Sequence, residues 1–170
     1  DGPVPDFASI YTAHSRAIFY LALRLMGDST RAEDVVHDVF LKAFRNLGGF
    51  RQASEIRTWL YRIAINHCRN LRKAWHERHI LNSTEDRTDD APSSDHHSPF
   101  RLAEAKDLGR QIQRSLDTLS PDYRLLLLLV ADEEMSYDQI AELTGQTADS
   151  VRGKIYRARK AFREAFNHTV

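Results

Sequence analysis

The chain has 170 residues, 42% of them hydrophobic and 28% charged, with 24 basic side chains against 24 acidic ones and so no formal net charge. That is the make-up of one or two ordinary globular domains. The longest apolar run, Leu125 to Ala131, is far short of the roughly 20 residues a membrane span needs, and the first residues hold no signal-peptide core, so neither a membrane-spanning nor a secreted precursor is expected and a cytoplasmic protein is. The single cysteine, Cys68, excludes an intrachain disulfide and any metal site built on cysteines alone.

Apolar residues recur at helical spacing along the chain and nowhere alternate as in a strand, which predicts an all-α fold. A first helix spans about Asp6 to Met26, with Ile10, His14, Ala17, Ile18, Leu21 and Leu25 on its inner face and Gly27 as its stop. A second follows at once. Thr30 and Glu33 have the spacing of a capping box, and Val35, Val36, Val39, Phe40, Phe44 and Leu47 form the apolar stripe before Gly48 and Gly49. The third is expected from Ser54 to Arg78, with Ile56, Leu60, Ile63, Ala64, His67, Leu71 and Ala74 inward and Arg62, Asn66, Arg69 and Lys73 on the opposite side.

Residues 81–100 change character. Glu85, Asp86, Asp89, Asp90 and Asp95 face only Arg87, among Ser, Thr, Pro and His, the composition of a flexible acidic linker. Beyond it, Ala105, Leu108, Ile112, Leu116 and Leu119 mark a fourth helix. Ser120 and Pro121 start a fifth as N-cap and first helical residue, and its run from Leu125 to Val130 is apolar all round. Ser136 and Gln139 open a short sixth helix that Gly145 closes. A seventh begins near Ala148, with Val151, Ile155, Ala158 and Phe162 inward. The expected layout is a helical domain over 1–79, the linker over 80–100 and a second helical domain over 101–170.

Net neutrality conceals charge sorted by segment. Between Arg51 and His79 seven Lys/Arg oppose Glu55 and Glu77, and from Val151 to Arg163 there are six basic residues and no acidic one. The capped short helix, glycine turn and basic longer helix from Ser136 to Phe166 have the outline of a helix-turn-helix, whose second helix fits the major groove. Ala148, Asp149, Ser150, Arg152, Gly153 and Tyr156 are expected towards bases, and Lys154, Arg157, Arg159, Lys160 and Arg163 towards phosphates. The third helix joins Trp59, Tyr61, Asn66 and Asn70 to its cations, a mixture suited to single-stranded or opened nucleic acid.

Three segments resemble one family: Glu33 to Phe44 (EDVVHDVFLKAF), Arg57 to Asn66 (RTWLYRIAIN), and Ser136 to Ala141 (SYDQIA) with Tyr156 to Arg159 (YRAR). In this order and spacing they look like an extracytoplasmic-function sigma factor of bacterial RNA polymerase. The resemblance implies that the second helix docks on the clamp helices of core RNA polymerase through Asp34, Asp38, Phe40 and Lys42, with Val35, Val39 and Phe44 turned to the core. It implies that Phe50, Ser54 and Ile56 receive a flipped base of the minus-ten element, with Arg62, Asn66, Arg69, Asn70, Arg72 and Lys73 along the same DNA. The last helix would read the minus-thirty-five element of promoter DNA, the apolar helices of the second domain would touch the polymerase flap, and an anti-sigma factor is the expected regulator. Gln146 departs from the apolar residue expected in the turn, and residues 149–153 (DSVRG) depart from a more usual GTVKS.

Two other classes compete. A stand-alone helix-turn-helix regulator with an N-terminal sensor would share the last helix but has no use for a nucleic-acid face on the third. An enzyme would need a site that the sequence does not outline: His67, His76 and His79 match no zinc spacing, and no phosphate loop or nucleophile elbow is present. No catalytic residue, metal or cofactor is expected.

Overall fold

The computed structural model describes residues 6–49, 55–79, 99–131 and 133–168. They form seven α-helices and, among the described residues, no strand: α1 (Phe7–Met26), α2 (Ser29–Asn46), α3 (Ile56–His79), α4 (Pro99–Asp117), α5 (Pro121–Ala131), α6 (Tyr137–Thr144) and α7 (Ala148–His168). The chain divides into two compact units, Asp1–Asp89 and Asp90–Val170. The expected linker lies outside the described residues as far as Ser98, while α4 already begins at Pro99, inside the interval read as linker. None of its helices is long and apolar enough to cross a membrane, among the described residues.

In the first unit the helix ends follow from side chains. Asp6 caps α1 by accepting from the Ala8 amide at 2.9 Å. Gly27 stops it in the left-handed conformation (φ 72°), its N–H bonded to the Leu23 carbonyl. The next cap is Asp28, which accepts from the Thr30 amide at 2.8 Å. This replaces the expected Thr30 and Glu33 capping box: a carboxylate is as good an N-cap as a hydroxyl, and taking the earlier position puts Thr30 inside α2. The core joins Ile10, Ile18, Leu21 and Leu25 of α1, Val35, Val39, Phe40 and Ala43 of α2, and Leu60, Tyr61, Ala64, Ile65 and Cys68 of α3.

That last set corrects the expected face of α3. Tyr61, Ile65 and Cys68 are buried where Ile63, His67, Leu71 and Ala74 are only half-buried, so the helix is rotated towards Tyr61 and Cys68. The Arg57 guanidinium lies 5.4 Å from the Tyr61 ring centre. Burial pushes the Cys68 thiol up to about 12, against the opposing pull of Arg72.

In the second unit α7 packs against α4, α5 and α6. Ser120 caps α5, accepting from the Tyr123 amide at 3.3 Å, and Leu125 to Leu129 are all buried as their continuous apolarity predicts. Leu108, expected inside, is half exposed at 50%. Arg124, a cation in a run of apolar residues, is buried with its guanidinium folded back onto the end of α4: Nε donates to the Leu116 carbonyl at 2.9 Å, and Nη2 to the carbonyls of Asp117 and Leu119 at 3.3 and 3.4 Å. It satisfies acceptors that a helix C-terminus leaves without intrahelical partners.

Candidate functional site

The first surface is a groove between α1 and α2, lined by Phe7, Tyr11, Phe19, Tyr20, Leu41 and Phe44 among others. Four of these are large apolar side chains left open to solvent: Tyr11, Tyr20, Leu41 and Phe44, the last 59% exposed. Phe40 lies beneath. It is 3% exposed, with its ring edge-on to Tyr11 at 4.9 Å and to Phe7 at 6.3 Å between centres. The burial of the two phenylalanines is thus the reverse of that expected, Phe40 being core and Phe44 surface: Phe40 meets both Tyr11 and Phe7 of α1, whereas Phe44, though 5.1 Å from the Phe7 ring centre, stays open to solvent. Polar side chains edge the groove, Arg16 from α1 and Glu33 and His37 from α2. Asp34 is exposed on α2.

Asp38 and Lys42, one turn apart on α2, meet at a residue of α3. Lys42 Nζ donates to His67 Nδ1 at 3.0 Å, and the ring's other nitrogen lies 3.1 Å from Asp38. An ammonium has only protons to give, so Nδ1 is the acceptor and the proton sits on Nε2, donated to Asp38. The imidazole, with 11% of its side chain exposed, thereby fastens two expected polymerase contacts to the helix expected to meet DNA. The apolar spacing of α3 points to a core role for His67, and nothing local in the sequence signals this partnership.

The second surface is the outer side of α3. Asn66, Arg69, Asn70 and Lys73 are exposed there, with Arg62 half-buried at its margin. Arg72 departs from the group: it is half-buried and close enough to Cys68 to act on the thiol. Trp59 and Ile56 are half-buried, and Tyr61 is excluded from any base contact by its burial. Phe50 and Ser54 lie outside the described residues.

The third surface is the helix-turn-helix. Ser136 and Gln139 make the expected capping box, with Ser136 N donating to Gln139 Oε1 at 2.9 Å and Gln139 N to Ser136 Oγ at 3.1 Å. Gly145 ends α6 in the left-handed region (φ 70°). Thr147 starts α7, its hydroxyl accepting from the Ser150 amide at 3.1 Å. With Val151, Ile155 and Ala158 fully buried, the opposite side presents Asp149, Arg152, Tyr156, Lys160 and Arg163 to solvent, and Tyr156 is 68% exposed. Arg152 stands between Asp149, 3.5 Å away, and the Tyr137 ring, 5.9 Å from its centre. Ser150 and Gly153 are half-buried beside this stripe and Arg159 is exposed.

Two expected phosphate contacts are engaged within the unit. Arg157 Nε donates to the Tyr123 hydroxyl at 3.0 Å. Lys154 Nζ lies 2.9 Å from Asp122 Oδ2 and 2.6 Å from Gln146 Oε1. Among the described residues no group of three or more His, Cys, Asp or Glu is arranged to hold a metal ion.

Comparison with known proteins places these surfaces in context. Residues 10–77 match sigma-70 region 2 and residues 109–162 match sigma-70 region 4. The chain is 32% identical over 164 residues to the RNA polymerase sigma-H factor of Pseudomonas aeruginosa, covering 94% of this chain and 85% of that protein. It is likewise 32% identical over 133 residues to the ECF RNA polymerase sigma-E factor of Escherichia coli K12, covering 75% and 70%. Among solved structures, the sigma factor RpoE of Bartonella quintana, in complex with the anti-sigma factor NepR, superposes with a TM-score of 0.78 at 23% identity over 95% of this chain and 97% of that one. CnrH in complex with the cytosolic domain of CnrY gives 0.67 at 24% identity, over 96% and 89%. At these identities the structural likeness speaks to the fold.

Proposed function

The chain belongs to the sigma-70 family of RNA polymerase sigma factors, in its extracytoplasmic-function branch, and on that footing we propose that it binds bacterial core RNA polymerase and directs initiation at promoters carrying spaced minus-ten and minus-thirty-five elements. The observation that carries the reading is the succession of three unlike surfaces along one chain: an exposed aromatic groove on α1 and α2, an amide-and-cation face on α3, and a basic helix-turn-helix at α6 and α7.

Each surface has the chemistry of its assigned partner. Apolar rings left open to water in one groove mark a protein-docking surface, and Asp34, Asp38 and Lys42 add charge that fixes orientation. Polymerase clamp helices are the proposed occupant. On α3, Asn66 and Asn70 offer paired donors and acceptors to opened bases while Arg62, Arg69 and Lys73 neutralise backbone phosphate. On α7, Arg152 suits a guanine edge and Asp149 a cytosine amine in the major groove, with Arg159 and Lys160 towards phosphate. In this reading the chain catalyses nothing itself.

An anti-sigma factor is the proposed regulator. RpoE of B. quintana and CnrH were each solved with a bound protein, NepR and the cytosolic domain of CnrY. A comparable partner here would compete with polymerase by covering the Tyr11 and Phe44 groove.

The test is transcription by bacterial core polymerase, with and without the chain, on a pool of randomised promoter fragments, with the transcript starts sequenced. Starts that depend on the chain and share two spaced motifs are expected. A chain that fails to bind core polymerase yet shifts duplex DNA alone is instead an independent regulator.

A further inference from the structure

The charge of a recognition helix is ordinarily counted towards the DNA, but one of its lysines is committed elsewhere. Lys154 projects from α7 to Asp122 in the first turn of α5 and to Gln146 in the turn, at 2.9 and 2.6 Å. Its side chain is 30% exposed and that of Asp122 37%. Gln146 is itself oriented, its Nε2 donating to the Thr144 hydroxyl at 3.0 Å, and that hydroxyl donates to the Ile140 carbonyl at 2.7 Å. The chain of bonds therefore runs from α6 through the turn to α7 and on to α5. Turning the ammonium towards a phosphate would strip Asp122 of its counter-charge and Gln146 of its donor, whereas Lys160, six residues on along the same helix, is exposed.

We propose that Lys154 is a positioning residue of the recognition helix and not a phosphate contact: with Gln146 and Asp122 it sets the angle at which the first turns of α7, bearing Asp149 and Arg152, enter the major groove. The proposal rests on the reading of α7 as the promoter-recognition helix. Its consequence is that Gln146, a turn residue outside the recognition helix whose side chain is held by Thr144 and Lys154, influences which bases are selected. An ammonium held between two oxygens is the element, and the tie between turn and helix is its effect.

Positioning and phosphate contact leave different signatures. A lost phosphate contact lowers affinity about evenly across sequences and makes the log-affinity against log-salt slope shallower by about 1. A lost positioning tie changes which bases are preferred and leaves the slope alone. The experiment uses the full chain with core polymerase on a promoter pool randomised at the minus-thirty-five element, read as sequence preference and as salt slope, for the parent and for Lys154→Met, Lys154→Gln, Gln146→Leu, Asp122→Asn, Lys160→Met and Arg152→Ala.

Lys160→Met should lose a slope of about 1 with its preference intact. Lys154→Met, Gln146→Leu and Asp122→Asn should keep the parent slope and broaden the preference together. Lys154→Gln, which keeps a donor for Asp122 without the charge, should recover part of the parent preference. If Lys154→Met loses the same slope as Lys160→Met and selects the parent motif, the proposal is overturned and Lys154 is a phosphate contact. Should Lys154→Met not fold, Gln146→Leu decides by the same two readouts: broadened preference supports the tie and an unchanged one overturns it. If Arg152→Ala and Lys160→Met also leave selection and slope unchanged, α7 does not read the promoter, and the functional reading falls together with the proposal.

Discussion

Two glycines eight positions apart on the helix-turn-helix have opposite requirements. Gly145 stands at φ 70°, where a Cβ meets the following carbonyl and costs about 1–2 kcal/mol, so Gly145→Ala should lower stability by that amount although open space surrounds it. Gly153 lies inside α7, and a Cβ there would meet only the Arg157 guanidinium at 3.5 Å, an ordinary contact. Gly153→Ala should therefore raise stability by up to about 1 kcal/mol through helix propensity. Chemical denaturation of both variants checks the pair, and a loss at both positions would refute the account of Gly153. His14 supplies a pH dependence at the same scale. Burial, and then the charge of Arg57, hold its imidazole below the usual 6.5. The unfolded chain consequently binds the proton first, and stability falls as pH drops through about 6.5, levelling off once the folded state also protonates. The fall in Tm between about pH 7.5 and pH 5.5 should be smaller for His14→Gln than for the parent. Equal falls would mean that the His14 environment does not couple to folding.

At the scale of the helix, α2 separates packing from docking on neighbouring turns. Phe40 is closed in by Phe7 and Tyr11, while Phe44, 5.1 Å from the Phe7 ring centre, stays 59% exposed. Phe40→Ala should cost about 3–5 kcal/mol, and Phe44→Ser should leave Tm within a few degrees while weakening capture of core polymerase at least tenfold. Thermal melting beside a polymerase pull-down separates the two, and a Phe44→Ser chain that binds polymerase normally would remove the groove from the docking surface. The same helix shows what a sequence can and cannot disclose. Helix positions were legible because burial repeats every three or four residues and because Asp, Ser, Gly and Pro punctuate the ends. Which arc of a broad apolar stripe faces inward was not, since it depends on the neighbour: α1 sets both Phe7 and Tyr11 against Phe40, which is buried while Phe44 stays open, and the packing of α3 selects Tyr61 and Cys68 over Ile63 and His67. The basic faces were legible as composition. The engagement of Lys154 by Asp122, 32 residues earlier, and of Lys42 and Asp38 by His67 on another helix was not, because no local pattern encodes a partner brought in by folding. Arg124 is illegible for the same reason: a lone cation before five leucines shows no partner until the end of α4 supplies its carbonyls.

For the molecule as a whole, equal numbers of acidic and basic residues set a limit on what it does unaided. Affinity for duplex DNA comes largely from release of counterions by phosphate-neutralising side chains, with a salt slope near −0.9 for each phosphate met. On α7 the exposed cations are Arg152, Arg157, Arg159, Lys160 and Arg163, of which Arg157 is held by the Tyr123 hydroxyl. If Arg152 is turned to a base edge, about three remain for phosphate, which corresponds to a slope of about −3. Acidic Asp149 and Glu164, both exposed on the same helix, work against even that. The free chain should then bind promoter duplex no better than a non-specific ligand, with a Kd of about 10⁻⁶–10⁻⁴ M at physiological salt. Core polymerase changes the outcome by supplying further contacts and by holding the chain at high local concentration on the DNA. Titration of labelled promoter duplex with the chain alone and with the chain on core polymerase, each at several salt concentrations, measures both states. A steep increase in affinity and selectivity only in the presence of polymerase is expected. Nanomolar, sequence-selective binding by the free chain would contradict it, because the few outward cations of a helix that also carries two exposed carboxylates would then be achieving what this charge balance assigns to the polymerase.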